Sequence, residues 1–456
     1  MKKIGRIVRC IFFIWLACLV LTCLLIPLLQ KSKPVRPFEG RTARENAERV
    51  ACIDDNQEAM IRRLQLIESA RKEIDLSTYY LGDDDAGRDI MAALLSAARR
   101  GVSVRVLVDG FCEYLDLRHS DCFYALADEP NVEIRVYNPV SILFPAKNNY
   151  RLHDKYLIAD ENTYILGGRN TRSKSIGDYP GKQDVDRDVL VTSPEGDGSI
   201  LELKDYFKTV WSSRDSKPVK QGKSTAQGRE VLEKRYEALK VQSPQAFEKI
   251  DLQALTIPAK SVHLLANPVN AGNKQPLLWT QLTELMKKGT DIEVVTPYII
   301  LNRQMYADLR EIADHAQVKI LTNAPESGAN PSGCADLLNQ KRRLLRTGLV
   351  LCEYAGEKSA HTKTVVIDDN LSIIGSFNFD MRSAYLDTEL MLAIDCPELN
   401  QYLRQVNDQS IASSRITSPD GTVRFGENFD PPEMGFTKNL IYGILRVLTI
   451  PVRHLL

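Results

Sequence analysis

The stretch Leu152 to Asn170, LHDKYLIADENTYILGGRN, decides how this chain is organised, because its polar skeleton occurs a second time. The second copy is Ala360 to Asn378, AHTKTVVIDDNLSIIGSFN. In each copy a His is followed at the same offsets by Lys, Asp, Gly and Asn: His153, Lys155, Asp160, Gly167 and Asn170, and then His361, Lys363, Asp368, Gly375 and Asn378. The whole chain has 6 His, so the repeated spacing predicts that both copies contribute to one active site.

Each copy has the residue pattern of a β-hairpin. The apolar runs at 156–159 and 364–367 are both followed by a polar turn and a second β-prone run. Because side chains alternate along a strand, each His and the Lys two residues later share one face of the first strand. Gly167 and Gly375 follow the second strand and would let backbone come close to a bound group.

The order of the other predicted elements is duplicated as well. In the first half, a strand EIDLSTYYL, a helix and a strand VSVRVLVDG follow one another. In the second half the same order occurs as DIEVVTPYII, a helix and QVKILTN. Helices that alternate with β-branched runs are typical of an α/β layer with a largely parallel sheet. The sequence therefore predicts two tandem α/β domains with pseudo-twofold symmetry.

The N-terminus predicts a membrane anchor. Residues 10 to 29 form an uncharged run of 20 residues, which as a helix would cross a hydrocarbon layer of about 30 Å. An uncleaved signal anchor is the favoured interpretation, and a removed signal peptide is the alternative. Basic residues flank both ends of the run, so the positive-inside rule leaves the orientation open.

These patterns divide the chain into six predicted segments. In chain order they are a transmembrane signal anchor at 1–30, a tether at 31–45, the first domain at 46–216, a connector at 217–257, the second domain at 258–430 and an amphipathic segment at 431–456. The last segment has an apolar stripe with a basic fringe, which suits a membrane interface or a terminal helix docked on the core. The basic stretch from Lys341 to Arg346 could approach lipid headgroups or be solvated.

Composition limits the partners and cofactors. Lys plus Arg and Asp plus Glu both number 59, so overall charge predicts no general attraction to nucleic acid. The 9 Cys lack CxxC spacing, which argues against a zinc site and favours buried thiols. No metal or other cofactor is predicted.

Two His and two Lys suit chemistry at a phosphodiester. A neutral imidazole can attack phosphorus to form a phosphohistidine, and a second, protonated imidazole can give its proton to the departing alcohol. Lys155 and Lys363 would neutralise the phosphodiester oxygens. Three further side chains are predicted to hydrogen-bond the substrate phosphate: Asn170, Ser376 and Asn378.

Each imidazole also needs a carboxylate to orient it. The candidates are Asp188 in VDRDVLVT and Glu389 in LDTELMLA, with Asp186 as a rival in the first half. Asp160 and Asp368 complete the repeated motif and are candidate catalytic residues, although their place at the hairpin tip favours a turn-capping role.

At these residues the chain resembles the phospholipase D superfamily, whose hallmark is an HxKx4D motif followed by GG or GS and Asn. Within that superfamily it is most similar to bacterial cardiolipin synthases of the C type, and this resemblance rests on STYYLGDDDAGRDIMAALLSAARRGVSVRVLVDG, LGGRN, TPYII, LTN, KRRLLRTGLVLCEY, GSFNFDMRSAYLDTEL and TIPVRHLL. The resemblance implies that a phosphatidyl group is transferred through a phosphohistidine, and that cardiolipin is made from phosphatidylglycerol plus phosphatidylglycerol or phosphatidylethanolamine.

The resemblance further implies which residues react and where. His153 would be the nucleophile and His361 the acid and base, together with Lys155 and Lys363. Together with the apolar run, this predicts a single-pass protein of the bacterial inner membrane; the side of the catalytic domains stays open, with a slight preference for the periplasm, and one chain would hold a complete site without oligomerising. Two alternatives stay open: a phospholipase D hydrolase that releases phosphatidic acid, and a phosphodiesterase acting on nucleic acid, which the apolar anchor disfavours.

The two copies also differ. Gly168 stands where the second copy has Ser376, so the first half offers one hydroxyl fewer. The spacing from His to the candidate carboxylate is 35 residues to Asp188 and 28 to Glu389. These differences predict that the two His are not interchangeable.

Overall fold

The computed structural model describes residues 48–222 and 225–456, together with residues 10, 12–17, 20–22, 24–25 and 29. Its described part contains two nine-stranded sheets, one in each half of the chain. The strands of the first sheet are β1 (Glu48–Ile53), β2 (Glu73–Thr78), β3 (Ser103–Asp109), β4 (Val132–Tyr137), β5 (Lys155–Ala159), β6 (Thr163–Gly167), β8 (Asp188–Thr192), β9 (Ser216–Pro218) and β10 (Ile257–Ala259). The strands of the second sheet are β11 (Ser261–Ala266), β12 (Asp291–Val295), β14 (Gln317–Asn323), β15 (Val350–Tyr354), β17 (Thr364–Ile367), β18 (Leu371–Gly375), β20 (Leu390–Asp395), β21 (Ser414–Thr417) and β22 (Val423–Phe425).

The centres of the two sheets have the same topology. In the first sheet the order is β8-β6-β5-β2-β3-β4, and in the second it is β20-β18-β17-β12-β14-β15. Two α/β domains in tandem are therefore confirmed. The expectation of a largely parallel sheet is wrong. In each described nine-stranded sheet only three neighbouring strands pair in parallel, β2, β3 and β4 in the first and β12, β14 and β15 in the second. Each His motif is a hairpin, and its strands join the sheet antiparallel.

Two short strand pairs complete the β structure. They are β7 (Asp184–Val185) with β16 (Ser359–Ala360), and β13 (Ile299–Ile300) with β19 (Phe379–Asp380). The helices of the described part are α1 (Asn56–Ser69), α2 (Asp85–Arg99), α3 (Gly110–Cys112), α4 (Asp121–Ala127), α5 (Ser199–Trp211), α6 (Ala226–Gln242), α7 (Leu252–Leu255), α8 (Leu277–Met286), α9 (Arg303–Ala313), α10 (Pro331–Leu345), α11 (Met381–Tyr385), α12 (Pro397–Ala412) and α13 (Phe436–Leu448). Irregular helical turns occur at Glu113–Leu117, Pro145–Asn149, Pro244–Phe247 and Ile450–Leu455.

Local sequence explains where the first helices begin and end. The carboxylate of Asp55 accepts from the backbone N–H of Glu58 at 2.8 Å and caps α1, as Asp often does at a helix N-terminus. Asp84 caps the Ala-rich helix α2 in the same way, through Gly87 N–H at 3.0 Å. Beyond α2 the backbone of Gly101 has a φ of 92°, a left-handed conformation that ends the helix at little cost for glycine.

The two domains share a hydrophobic core at their junction. Each domain also has a core of its own, between its sheet and the helices that cover the opposite face. The junction core combines Ile158 and Leu166 of the first sheet with Val366 and Ile374 of the second. Sheet packing therefore fixes one His hairpin against the other. Most of the cysteines in these domains are buried free thiols, as predicted: Cys112, Cys122, Cys334, Cys352 and Cys396.

The two ends of the chain carry the predicted membrane segments. Among the described residues, no helix has both the length and the apolar character needed to cross a membrane. Most of the predicted anchor at 1–30 and all of the predicted tether at 31–45 lie outside the described residues. At the other end, helix α13 packs on α10 and buries Tyr442, while most of its other apolar side chains are exposed.

Candidate active site

Two strand contacts between the domains bring each His to a carboxylate of the other domain. In the first contact β7 and β16 pair in parallel with Ala360 opposite Val185, so that the next residues along the two strands are His361 and Asp186. In the second contact Leu152 forms a parallel bridge with Thr388. The next residues there are His153 and Glu389. The two domains thus contribute to the site reciprocally.

His153 is held by Glu389. Its Nδ1 lies 2.8 Å from Oε1 of that carboxylate, and its backbone N–H donates to the Thr388 hydroxyl at 3.1 Å. Glu389 is completely buried. The hydroxyl of Ser376 donates to the other carboxylate oxygen of Glu389 and accepts from the Leu390 N–H at 3.0 Å. Ser376, predicted to bind substrate phosphate, is instead placed to position Glu389.

His361 is held by Asp186, which sequence reasoning gave only as a rival. Its Nδ1 lies 2.5 Å from Oδ2 of Asp186. The prediction that Asp188 orients a His is wrong, because its carboxylate forms ion pairs with Arg63 at 2.8 Å and Arg169 at 3.5 Å. Both arginines are buried. Asp188 therefore neutralises a buried pair of guanidinium groups behind the site.

Strand register shows why Asp186 corresponds to Glu389. Gly167 pairs with Asp188 across β6 and β8, and Gly375 pairs with Met391 across β18 and β20. Asp186 and Glu389 each lie two residues before those partners, so they occupy equivalent places. The apolar strand that follows each carboxylate was the available signal, but two acids two residues apart share a face of an extended chain.

Gly168 makes room for Asp186. A Cβ added to Gly168 would lie 2.1 Å from Oδ1 of Asp186, far closer than two nonbonded atoms approach. In the second domain the equivalent residue is Ser376, which instead supports the longer side chain of Glu389. The difference between Gly168 and Ser376 is thus matched by a difference in the length of the carboxylate beside each.

The two motif lysines are almost completely buried, with 2% of Lys155 and 1% of Lys363 exposed. The ammonium group of Lys155 donates to the backbone carbonyl of His153, and that of Lys363 donates to the carbonyl of His361. Lys363 Nζ also lies 2.7 Å from His361 Nδ1 and 3.8 Å from Asp186 Oδ2. Both cations therefore lie beside the imidazoles in the same buried site.

Burial governs the charge state of this cluster. Burial, aided by the charges of Lys155 and Lys363, lowers the pKa of His153 well below its usual range, and burial lowers the pKa of Lys155 to about 7. Burial and the nearby Lys363 also lower the pKa of His361. A neutral imidazole at His153 is therefore the form favoured at neutral pH.

The two carboxylates differ in charge state. Burial raises the pKa of Glu389 well above its usual range. Burial would also raise the pKa of Asp186, but Lys363 and His361 bring it down to about 2. Asp186 thus keeps its negative charge beside His361 and opposes the lowering of the His361 pKa by burial and Lys363, while the environment of Glu389 gives less support to an imidazolium at His153.

Asn170 and Asn378 lie in equivalent places after the two hairpins. Both are buried, and the amide oxygen of each has no hydrogen-bond partner among the described residues. The Asn378 amide nitrogen donates to the hydroxyl of Tyr298 at 3.1 Å. Buried amide oxygens without partners are uncommon, so both side chains have hydrogen-bonding capacity to spare.

Asp160 and Asp368 lie away from the imidazoles. The carboxylate of Asp160 accepts from the backbone N–H groups of Arg71, Lys72 and Glu73 at 2.7–3.1 Å. Asp368 accepts from Thr290 and Asp291 N–H in the equivalent way, at 2.8 and 2.9 Å. The structure therefore gives no support to their assignment as catalytic residues. They tie each hairpin tip to the start of the neighbouring strand, as their turn position suggested.

Tyr79 and Arg382 border the site and were missed by sequence reasoning. The Tyr79 ring packs edge-on against His153 with centroids 5.2 Å apart, and Lys155 Nζ lies 5.3 Å from the centre of the same ring. Arg382 forms an ion pair with Asp387 at 2.9 Å, and the other Asp387 oxygen accepts from the Arg151 N–H at 3.1 Å. The only signal for Tyr79 was its place near the end of the predicted strand EIDLSTYYL.

The whole arrangement suits in-line displacement at a phosphodiester. Both Nδ1 atoms face carboxylates, and neither Nε2 has a hydrogen-bond partner within the described ranges. Each ring can therefore present Nε2 to a substrate between them, one as a nucleophile and the other as a proton donor. Two buried cations are available for the phosphate oxygens, whereas the unpartnered amide oxygens of Asn170 and Asn378 can only accept a hydrogen bond.

The chain matches the family model described as cardiolipin synthase, PLD-like domain, at residues 64–211 and 282–410. It is 27% identical over 396 residues to cardiolipin synthase C of Escherichia coli (strain K12), and this match covers 77% of this chain and 82% of the relative. It is also 26% identical over 347 residues to cardiolipin synthase B of Salmonella typhi, with 75% of each chain covered.

Among solved structures, the phosphatidylserine synthase of Haemophilus influenzae Rd KW20 is similar in fold, with a TM-score of 0.62. The likeness covers 89% of this chain and 95% of that one at 17% sequence identity. It extends over both domains and supports the tandem arrangement described above.

Proposed function

This chain belongs to the cardiolipin synthase, PLD-like domain family and is a phosphatidyltransferase of the phospholipase D superfamily, and on that premise we propose that it makes cardiolipin from phosphatidylglycerol and a second phospholipid through a covalent phosphohistidine. The observation that carries the proposal is the reciprocal pairing of His153 with Glu389 and of His361 with Asp186. Two buried lysines lie in the same site.

In the first step, Nε2 of His153 attacks the phosphorus of the donor phospholipid. A nitrogen–phosphorus bond forms as the bond from phosphorus to the departing headgroup oxygen breaks, and that oxygen takes the proton from Nε2 of His361. Lys155 and Lys363 offset the negative charge that builds on the nonbridging oxygens. The products of this step are the phosphatidyl-His153 intermediate and the free headgroup alcohol.

In the second step, a headgroup hydroxyl of the acceptor phospholipid attacks the same phosphorus. His361, now neutral, takes the proton of that hydroxyl, and the nitrogen–phosphorus bond breaks to release His153. With phosphatidylglycerol as acceptor the product is cardiolipin. Water in place of the acceptor would give phosphatidic acid, so transfer requires that a lipid hydroxyl reach the intermediate before water does.

The charge states of the two carboxylates support this division of roles. The low pKa of Asp186, about 2, keeps a negative charge beside His361, as a proton donor requires. Burial raises the pKa of Glu389 and lowers that of His153, which suits a neutral nucleophile. The same geometry serves a hydrolase, and the similarity to cardiolipin synthases C and B favours transfer.

Membrane attachment is part of this proposal. Phospholipid substrates lie in a bilayer, and the apolar run at residues 10–29 would hold the catalytic domains beside it in the bacterial inner membrane. Phosphatidylethanolamine is the second candidate for the other phospholipid, as the resemblance implies.

The proposal is tested by expressing the full chain in cells that lack their own cardiolipin synthases and analysing their lipids. Cardiolipin is expected with the wild type and with His119→Ala, a control at an exposed His, but not with His153→Ala or His361→Ala. Accumulation of phosphatidic acid would establish the hydrolase instead. Unchanged lipids together with nuclease activity would contradict both.

A further inference from the structure

Four arginines without carboxylate partners surround one hollow on the second domain. Arg303 and Arg310 of α9 and Arg343 and Arg346 of α10 line a surface hollow of about 490 Å³. Among the residues that the structure describes, none of the four forms an ion pair with Asp or Glu. We call this hollow the arginine hollow.

The acidic residues at its rim do not neutralise it. Of the two acids that line the hollow, Glu311 is ion-paired with Lys287 at 3.2 Å, which leaves Asp314 against four guanidinium groups. The Arg343 guanidinium lies 4.3 Å from the centre of the Tyr306 ring, and Arg310 donates to the Arg346 carbonyl at 3.1 Å. The hollow therefore has an excess of positive charge. Most N–H groups of its guanidinium side chains can donate to phosphate oxygens.

An exposed apolar face of helix α13 lies next to the hollow, because α13 packs on α10, the helix that carries Arg343. Helix α13 packs along α10, and Arg446 of α13 donates to the Asn339 side chain at 2.8 Å. Asn339 is one helical turn before Arg343. The outer face of α13 consists of exposed apolar side chains: Phe436, Leu440, Ile441, Ile444, Val447 and Leu448. Phe436 is 83% exposed and Val447 67%, more than a helix docked on the core would leave.

This face continues to the candidate active site. Arg382, beside the site, donates to the Leu455 carbonyl at 3.0 Å and to the Asn149 carbonyl at 2.7 Å. The chain end after α13 and the loop before residue 149 therefore meet at one place. That loop exposes Ile142, Leu143 and Phe144.

Two residues of the N-terminal apolar run contact the same region. Thr22 lines one hollow with Leu143 and Phe144, and His454 Nε2 lies 3.0 Å from the Leu24 carbonyl. These two residues of the run that is proposed to enter the membrane therefore lie beside the exposed loop and the C-terminal segment.

From this we propose that the arginine hollow and the outer face of α13 dock the protein on the surface of an anionic phospholipid bilayer, with lipid phosphates in the hollow and the apolar side chains among the acyl chains. Charge complementarity selects this occupant, since the guanidinium groups have no carboxylate partner among the described residues and border an apolar face. The proposal rests on the proposed function in placing the reaction at a membrane. Docking in this orientation turns the Arg382 side of the active site towards the lipid.

Hydrogen exchange of the full chain in lipid nanodiscs tests the docking without reference to activity. Exchange at residues 436–448 is compared in discs of phosphatidylcholine alone and in discs with about one third phosphatidylglycerol, a fraction chosen to give a strongly anionic surface. The wild type is expected to exchange at least tenfold more slowly in the anionic discs. The variant with Arg303, Arg310, Arg343 and Arg346 all changed to Gln is expected to lose that slowing, and a variant with all four changed to Lys is expected to retain most of it.

A matched control removes the same charge elsewhere. Arg229, Lys234, Lys240 and Lys249 are exposed on or near α6, and changing these four to Gln should leave the slowing intact. Exchange in β2 and β12 shows that every variant is folded. The docking proposal is overturned if the wild type exchanges equally in both kinds of disc, or if the four-Gln hollow variant keeps the slowing. Transferase activity of the wild type in detergent micelles, measured separately, tells failure of the proposed function from failure of docking.

Discussion

The Nδ1 atom of His153 lies 2.8 Å from Oε1 of Glu389, a residue 236 positions further along the chain. Asp186 of the first domain stands in the same relation to His361 of the second. Each domain therefore provides the group that orients the other domain's His. A site built in this way exists only when the two domains are packed together, and the shared junction core holds them in that packing.

The two carboxylates should have different kinetic effects. Asp186→Asn is expected to slow transfer roughly 10²- to 10⁴-fold with a natural phospholipid, the range typical for losing a His-orienting or acid–base group. It should matter far less with phosphatidyl-p-nitrophenol, whose leaving group needs no proton. Glu389→Gln should slow both substrates, because it disturbs the nucleophile. Single-turnover rates with the two substrates measure this.

The exposed Asp178 provides the control, since Asp178→Asn removes the same charge outside the site and should leave both rates unchanged. Equal losses with both substrates in the Asp186 variant would contradict a role for Asp186 in proton donation.

Activity should fall on the alkaline side as Lys155 loses its proton. Burial lowers the pKa of Lys155 to about 7, so the free enzyme holds the charged form below that pH and the neutral form above it. With phosphatidyl-p-nitrophenol, whose leaving group needs no proton from His361, we expect kcat/KM to decline above about pH 7. A bound phosphodiester anion favours the charged lysine, so the decline in kcat should begin at higher pH. Lys155→Arg, which keeps its charge, should move the decline in kcat/KM to higher pH even if its rate is lower.

The measurement is the steady-state rate between about pH 5.5 and 9.5, an interval chosen to cover the lysine and histidine titrations. The same decline near pH 7 in wild type and Lys155→Arg would assign it to another group. On the acidic side, the decline in kcat/KM should lie below about pH 6.5, because burial lowers the pKa of His153 well below its usual range.

A side chain at Gly168 should disturb His361 through Asp186. In Gly168→Ala the new Cβ would lie 2.1 Å from Oδ1 of Asp186, so the carboxylate must shift away from His361. We expect the transfer rate to fall at least about tenfold, which is at the low end of the losses caused by a misplaced catalytic group. Gly435→Ala is the control, as nothing lies within 4 Å of its added Cβ. Full activity of Gly168→Ala would show that the contact between Asp186 and His361 tolerates displacement.

Asp188 should matter for stability. Asp188→Ala leaves Arg63 and Arg169 buried without their carboxylate, and breaking a buried ion pair in this way costs about 3–5 kcal/mol. Chemical denaturation should show this loss in the unfolding of the first domain. Glu161→Ala, which removes a surface partner of Lys72, should cost less than about 1 kcal/mol. If the Asp188→Ala protein were as stable as the wild type but inactive, Asp188 would have a role in the active site.

The spacing of the motif was enough to predict the hairpins and the pairing of each His with a Lys two residues later. Hydrophobic alternation and the repeated offsets are local, so the sequence could place His153 beside Lys155 and His361 beside Lys363 on one strand face. The membership of the phospholipase D superfamily followed from the same residues and is confirmed by the family match. The tip positions of Asp160 and Asp368 also suggested the backbone contacts that the structure contains.

The choice between Asp186 and Asp188 could not be made from the sequence alone. Both acids lie on the same face of an extended segment, and the choice depends on the register between β6 and β8. The exchange of carboxylates between domains depends on how the two sheets pack, which no local pattern encodes. Ser376 was misassigned for the same reason, because its partner Glu389 is reached only across that sheet.

Detection of the covalent intermediate is the direct test of the proposal that His153 is the nucleophile. Phosphatidyl-p-nitrophenol is mixed with His361→Ala, the reaction is quenched, and the mass of the intact protein and the modified residue are determined. We expect a phosphatidyl adduct on His153 that persists, because the base needed for the second step is missing, and no adduct with His153→Ala. An adduct on any other residue, or none in the His361→Ala protein although p-nitrophenol is released, would contradict it.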